Sequence, residues 1–140
     1  MIVLDTNVLS ELMRPQPSAQ VVAWIAQQQA ADLFTTAITE AEIFYGIELL
    51  AKGKRGDALL AAAEGMFTED FAGRLLAFES DAARHFARIA AHRRAVGRPV
   101  SHADAQIAAI ARAHGAQLAT GNGPDFADCS ITVIDPWRAP

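Results

Sequence analysis

The chain has 140 residues, of which 51% are hydrophobic and 20% charged, and its formal net charge is −4 at pH 7. A chain of this length forms one ordinary domain, so we expect a single domain over residues 1–140. The sequence has no apolar run of about 18 residues, which argues against a membrane-spanning helix. The negative charge argues against a protein that grips nucleic acid over its whole surface, yet it permits a nuclease with acids gathered in one pocket.

Two further features indicate a cytoplasmic protein. An acid follows the apolar start at once and no basic segment precedes it, so the first residues do not resemble a secretory signal. The single cysteine, Cys129, cannot form an internal disulfide and fits a reducing compartment. Basic side chains do cluster within 52–55 and 92–98, but each cluster is typical of a solvated helix end or loop.

The hydrophobic pattern predicts strands that alternate with helices along the chain. In the first half the predicted elements are a strand at 2–5, helices at 6–13 and 19–29, a strand at 33–37, and helices from Thr39 to near Gly53 and at 58–67. In the second half they are a strand at 74–78, a helix capped by Asp81 that runs to about Val96, a helix from Ser101 to Gly115, and strands at 117–120 and 131–134. The alternation predicts an α/β fold whose central, mainly parallel sheet is flanked by helices on both faces.

Four acids fall where such a sheet brings side chains to the carboxyl edge of its strands. Asp5 ends the first strand, and Glu42 lies in the first turn of the helix after the second strand. Asp104 lies in the first turn of the helix that Ser101 opens, and Asp125 lies in the loop after the strand at 117–120. The pattern therefore indicates a shared carboxylate site at one edge of the sheet.

Each acid also has a purely structural interpretation. Asp5 is a good helix cap, and the spacings at 39–42 and 101–104 both fit a capping box. Asp125 can simply close a turn. Spacing alone leaves the shared site and the set of independent caps equally open.

If the acids converge, their charge constrains the chemistry. Several carboxylates in one pocket stay ionised together only when a cation neutralises them. Oxygen ligands with no cysteine cluster favour Mg²⁺ or Mn²⁺ over structural zinc. Such ions activate water and stabilise charge on a phosphoryl group, so the expected reaction is phosphodiester hydrolysis.

Four segments carry polar and acidic residues in a set order and spacing: 2–9, the Thr39-x-x-Glu42 start continuing to Ile47, 103–108 and 119–126. In that order and spacing they resemble the motifs of PIN-domain toxins of the VapC and FitB type, and the ending at 134–137 is similar too. The resemblance covers essentially the whole chain. It implies a PIN fold and a Mg²⁺- or Mn²⁺-dependent ribonuclease that acts on RNA as the toxin of a bacterial toxin–antitoxin pair.

The resemblance also assigns the residues of the site by position. Its metal and catalytic acids are Asp5, Glu42, Asp104 and Asp125. Its supporting residues are Thr6 and Asn7, which would orient Asp5, and Thr120 and Asn122, which would support the site from the last loop. Asp128 lies one turn from Asp125, so the fourth ligand is the least firmly assigned.

The resemblance further implies two protein partners. A cognate antitoxin is expected to bind through an apolar segment across the helices near 6–13 and 39–52. An arginine of the antitoxin is expected to enter the acidic pocket, because a guanidinium satisfies carboxylates in place of an ion. Toxin chains are expected to pair as homodimers.

One position departs from the pattern of similar toxins, which often carry a basic residue where this chain has Gly121. This puts phosphate binding in question more than the metal site. Two alternative functions stay open: a PIN-like binding module without catalysis, and a phosphatase of the haloacid-dehalogenase type with Asp5 as nucleophile. Such phosphatases use an acid two residues on, where this chain has Asn7.

Overall fold

The computed structural model describes residues 1–139 of the chain. Its strands are β1 (Ile2–Leu4), β2 (Leu33–Thr36), β3 (Leu75–Leu76), β4 (Gln117–Ala119) and β5 (Val133–Ile134). Its α-helices are α1 (Thr6–Leu12), α2 (Ala19–Ala26), α3 (Ala37–Glu48), α4 (Lys54–Gly65), α5 (Ser80–Ala95) and α6 (His102–Ala113). Short 3-10 turns lie at Ala30–Asp32 and Gly123–Phe126, and α4 continues into a π-helical turn at Met66–Asp70.

The five strands form one sheet in the order β3-β2-β1-β4-β5, and all of the pairings are parallel. The predicted α/β fold with a mainly parallel sheet is therefore confirmed. Helical segments connect the strands. Parallel pairing requires such crossovers, because the chain must return to the same edge of the sheet before the next strand begins. No helix within residues 1–139 combines the length and hydropathy needed to cross a bilayer.

The central strand β1 is buried on both faces because side chains alternate along it. Ile2 and Leu4 pack into one apolar cluster with α1, α2 and α3, whereas Val3 packs into the other with α5 and α6. Helix α6 contributes an unbroken buried run from Ile107 to Ala111 to that second cluster. The strand is thus held rigidly in the sheet, and its last residue is followed directly by Asp5.

The start of α3 differs from the prediction. Thr36, not Thr39, is the N-cap, and its hydroxyl accepts a hydrogen bond from the N–H of Thr39 at 3.1 Å. The helix begins at Ala37, so Glu42 lies in its second turn and the proposed capping box at 39–42 is wrong. Thr39 is instead fully buried and faces the site.

Other element boundaries differ from the prediction as well. Helix α2 ends at Ala26, since the Gln28 side chain bonds the carbonyl of Trp24 at 3.1 Å and replaces the backbone contact that would continue the helix. Helix α4 starts at Lys54, earlier than predicted, and β3 contains only two residues of the predicted strand at 74–78. Asp81 does not cap α5; it lies in the first turn, where its charge is favourable to the helix dipole.

Candidate metal and nuclease site

A cavity of about 550 Å³ opens at the carboxyl edge of the sheet, above β1. Three of the four predicted acids line it, namely Asp5, Glu42 and Asp104. They come from the end of β1, the second turn of α3 and the first turn of α6. The fold therefore brings together acids that are far apart in the sequence.

Asp5 is the most constrained of the acids, with only 3% of its surface exposed. Its Oδ1 accepts from the backbone N–H of Thr6 at 2.8 Å, and its Oδ2 accepts from the hydroxyl of Thr120 at 2.7 Å. It is also the N-cap of α1, so the same residue caps that helix and lines the cavity. Each of the two carboxylate oxygens of Asp5 therefore accepts one hydrogen bond, one from α1 and one from the loop after β4.

The Thr120 hydroxyl is the centre of a small network behind Asp5. It accepts from the amide of Asn7 at 3.1 Å and from the N–H of Asn122 at 3.0 Å, and it donates to Asp5. The amide oxygen of Asn7 accepts in turn from the N–H of Gly121 at 3.2 Å. Asn7 therefore orients Asp5 through Thr120 and ties α1 to the loop after β4.

A second network holds Glu42. The Thr6 hydroxyl donates to Glu42 Oε1 at 2.7 Å. Because its one proton is used there, Thr6 must accept from the Thr39 hydroxyl, 3.0 Å away. The side chain of Thr6 thus positions Glu42, while its backbone N–H serves Asp5.

Burial is the main electrostatic effect on these acids. It raises the pKa of Asp5 to about 6, partly offset by the hydrogen bonds from Thr120 and Thr6, and the charges of Asp104 and Glu42 raise it further. Burial likewise raises the pKa of Asp104, where Ser101 and Arg93 act in the lowering direction and Asp125 and Glu42 in the raising one. The acids therefore repel one another across the cavity.

Burial of the ionised Asp5, with the repulsion from the other acids added to it, destabilises the metal-free fold near neutral pH. The unfolded chain holds Asp5 at the ordinary value of 3.8, whereas the folded chain holds its pKa at about 6. The folded state thus binds more protons between these values, so stability falls as the pH rises through them. Holding Asp5 ionised at pH 7 costs about 3 kcal/mol.

The structure does not place Asp125 on the wall of this cavity. It is exposed, in the 3-10 turn Gly123–Phe126, yet it is close enough to Asp104 for its charge to raise the pKa of that acid. Asn122, at the start of the same turn, does line the cavity. The last loop therefore contributes an amide to the wall and an acid to its rim.

Arg93 on α5 fixes that turn. It is 4% exposed, and its Nη1 donates to the carbonyls of Pro124 at 3.2 Å and Ala127 at 2.7 Å. The interpretation of 92–98 as a solvated cluster is therefore wrong for Arg93. Arg98, which follows α5, is exposed and pairs with Asp128 at 3.6 Å. Asp128, the alternative to Asp125 as fourth acid, is therefore held in an ion pair.

Sequence reasoning missed four residues of the wall: Ser10, Glu11, Arg14 and Trp137. The first three follow Thr6 and Asn7 at helical spacings of three, four and seven, so the face of α1 that carries the site could have been extended from the pattern. Trp137 lies far away in the sequence and only the fold brings it to the cavity.

A second cavity, of about 610 Å³, lies beside the first and is mainly apolar. It is formed between α1, α3 and α4, and its walls include Met13, Ile43, Ile47, Leu50 and Leu59. Thr6, Ser10, Arg14 and Glu42 line both cavities. The apolar groove is therefore continuous with the acidic one.

The family model of the PIN domain matches residues 2–130 of the chain. The chain belongs to the PIN-domain family. The PIN domain is also 40% identical over 138 residues to the VapC ribonuclease Y4jK of Sinorhizobium fredii, covering 99% of each chain. It is 39% identical over 138 residues to the toxin FitB of Neisseria gonorrhoeae, again covering 99% of each.

Solved structures agree with this membership. The PIN domain superposes on a chain of FitAB bound to a DNA fragment with a TM-score of 0.93 and 38% identity, covering 100% of this chain and 98% of that one. It also matches a member of the VapBC family of toxin–antitoxin systems from Mycobacterium tuberculosis, with a TM-score of 0.64, 29% identity and 94% of each chain covered. The predicted resemblance to VapC- and FitB-type toxins is confirmed.

Membership in this family leaves no support for the phosphatase alternative. The position that such a phosphatase needs as an acid is Asn7, and both ends of its amide are already bound, to Thr120 and to Gly121. Asn7 here positions other residues and has no free group to transfer a proton.

Proposed function

We propose that this PIN domain is a Mg²⁺- or Mn²⁺-dependent ribonuclease and the toxin of a toxin–antitoxin pair. The observation that carries the proposal is the convergence of Asp5, Glu42 and Asp104 on one cavity. Within residues 1–139, none of these acids has a basic side chain within salt-bridge distance. A chain 40% identical to a VapC ribonuclease thus holds an uncompensated acidic pocket where parallel α/β sheets place their sites.

The chemistry of the donors fits a hard divalent cation. Asp5, Glu42 and Asp104 would hold it with carboxylate oxygens, and Asp125 would act from the rim. Within residues 1–139 no three His, Cys, Asp or Glu side chains are gathered tightly enough to coordinate one ion, so binding would draw the carboxylates closer together. When bound, such an ion lowers the pKa of water and stabilises charge on the phosphoryl group.

Hydrogen bonds from threonine residues position the acidic side chains. The Thr6 N–H and the Thr120 hydroxyl each hold one oxygen of Asp5, and the Thr6 hydroxyl holds one oxygen of Glu42, so both carboxylates have a fixed orientation. The remaining lone pairs of these oxygens would serve the ion. The side chain of Arg14 is 67% exposed, lines the same cavity and pairs with Glu11 at 3.3 Å. Because this pair carries no net charge, the repulsion between the acids and a phosphodiester would be offset by the bound cation.

The apolar groove supports the second half of the proposal, an antitoxin partner. An apolar segment of the antitoxin would occupy the groove between α1, α3 and α4, as expected from the sequence for the helices near 6–13 and 39–52. Since Thr6 and Glu42 line both cavities, an arginine at the end of that segment reaches the acids without further rearrangement. A guanidinium there blocks the ion and the substrate together. Pairing of toxin chains as homodimers stays a prediction.

The test of the ribonuclease is digestion of total cellular RNA and of short single-stranded RNA by the purified chain. We expect cleavage in Mg²⁺ or Mn²⁺, no cleavage in EDTA, and recovery when the ion is restored, because the acids cannot act on a phosphodiester alone. Mapping the product ends would identify the preferred sequence. If the chain leaves RNA intact in every metal, the PIN-like binding module without catalysis replaces the nuclease.

A further inference from the structure

The ring of Trp137 lies against Gly121, the residue that departs from the pattern of similar toxins. A Cβ atom built on Gly121 would meet the ring at 2.8 Å from Cζ3 and 3.0 Å from Cε3, closer than Cβ atoms pack. The φ angle of Gly121 lies outside the left-handed region, so the backbone itself does not demand glycine there. With the ring in this position, a side chain at 121, including the basic one, fits only if the ring of Trp137 moves.

The same ring stands at the boundary between two cavities. One is the acidic cavity, and the other is a smaller cavity of about 320 Å³ lined by Asn7, Gly121, Asn122, Asp135, Trp137 and Arg138. Asn7, Asn122 and Trp137 belong to both. A polymer with its phosphate at the acids would therefore pass its next unit over Trp137.

The ring is held in place before any ligand arrives. The backbone N–H of Trp137 donates to Asp135 Oδ1 at 2.9 Å, and the side chain packs against the apolar cluster beneath β1. Asp135 also pairs with Arg138 at 3.7 Å, so the smaller cavity carries a balanced charge, unlike the acidic one. An uncharged planar group suits it better than a second phosphate does.

We propose that Trp137 is a stacking platform for a base of the RNA strand, next to the phosphodiester at the acidic site. The proposal rests on the proposed ribonuclease function. Single-stranded bases are recognised by stacking on aromatic side chains, and the side-chain amide of Asn122 adds a hydrogen-bonding group beside the ring. The glycine at 121 is then the residue that leaves room for the ring beside the site, so stacking takes the place of a basic contact.

The test uses the fluorescence of Trp137 alone. The chain has two tryptophans, and Trp24 is buried within the apolar cluster, so Trp24→Phe leaves Trp137 as the single reporter. In the Asp5→Asn background, which keeps the RNA uncut, we expect titration with single-stranded RNA to quench this fluorescence. Replacing the stacked nucleotide by an abasic one should abolish the quenching and weaken binding by roughly fivefold to 150-fold.

Two glycine variants separate stacking from folding. Gly121→Ala forces the ring aside and should weaken RNA binding by at least about fivefold. Gly123→Ala, where a Cβ meets nothing within 4 Å, should leave binding unchanged. Both variants should keep the Mn²⁺-induced rise in melting temperature, since neither residue carries a metal ligand.

These outcomes distinguish the stacking proposal from the ribonuclease function on which it rests. Suppose that the wild-type chain cuts RNA but Trp137 fluorescence does not change when RNA is added, or that Gly121→Ala and Gly123→Ala bind RNA equally well. Then only the stacking proposal is wrong. If the wild-type chain neither binds nor cuts RNA, both proposals fall. Quenching by an antitoxin peptide but not by RNA would reassign the ring to the protein partner and overturn the stacking proposal.

Discussion

Asp5→Asn, Glu42→Gln and Asp104→Asn should each reduce metal-dependent RNA cleavage by at least roughly a hundredfold. Mutation of a residue that only hydrogen-bonds to a metal ligand typically lowers metal affinity or activity by about 10- to 100-fold. These acids would be the ligands themselves, so a larger loss is expected. The reason is specific to each position: Asp5 and Glu42 are each oriented by a threonine hydroxyl, and Asp104 faces them from α6. Cleavage rates in Mg²⁺ with a defined RNA measure the loss.

The matched control is Asp32→Asn. Asp32 is exposed and lies just before β2, at the opposite edge of the sheet from the acidic cavity. It should leave cleavage and melting temperature unchanged. Asp125→Asn should cause a smaller loss than the other three, because Asp125 lies on the rim; cleavage near the wild-type rate in Asp5→Asn or Asp104→Asn would show that the site is assigned wrongly.

Expression of the wild-type chain alone should arrest bacterial growth, and expression of the antitoxin encoded beside it should restore growth. Asp5→Asn should be harmless at the same soluble level. Leu50→Glu, in the apolar groove, should stay toxic yet escape rescue, because it puts a charge where an apolar segment must dock. Colony counts and co-purification of the two proteins measure both effects.

Val96→Glu is the control for the groove variant. Val96 is 46% exposed and Leu50 is 38% exposed, so both changes place a charge on an accessible surface. Val96 lies at the end of α5, away from the groove, and its variant should be toxic and fully rescued. If Leu50→Glu is rescued as well as Val96→Glu, the antitoxin docks elsewhere.

The sequence was informative where the fold depends on local pattern. The continuous apolar run of β1 and the helical periodicity of α6 predicted the sheet and its covering helices, because burial on both faces of a strand leaves a visible signal. The position of Asp5 followed directly, since an acid just after a buried parallel strand must lie at the carboxyl edge. The N-cap Ser101 was correct as well, and its hydroxyl accepts from the N–H of Asp104 at 3.2 Å.

The sequence was less informative where hydrogen bonds join distant segments. Thr36 and Thr39 can both cap a helix, and only the buried contact between Thr39 and Thr6, 33 positions away, decides between them. The segment around Arg93 has the basic composition of a solvated helix end, yet Arg93 is buried and the carbonyls of Pro124 and Ala127 stabilise its charge. The contact between Trp137 and Gly121 leaves no local pattern at all.

The central claim is that Asp5, Glu42 and Asp104 form one metal site. The most direct measurement is the change in melting temperature that Mn²⁺ produces at pH 7.5, above the pKa of about 6 for Asp5, in wild type and Asp104→Asn. An ion that binds only the folded state adds about 2.7 kcal/mol at a hundred times its Kd, which raises the melting temperature of a domain of this size by roughly 5–11 °C. We predict that rise in wild type, a much smaller rise in Asp104→Asn, and a higher metal-free melting temperature for the variant, because one repelling charge is gone. Equal melting curves with and without Mn²⁺ in both proteins would contradict the shared site.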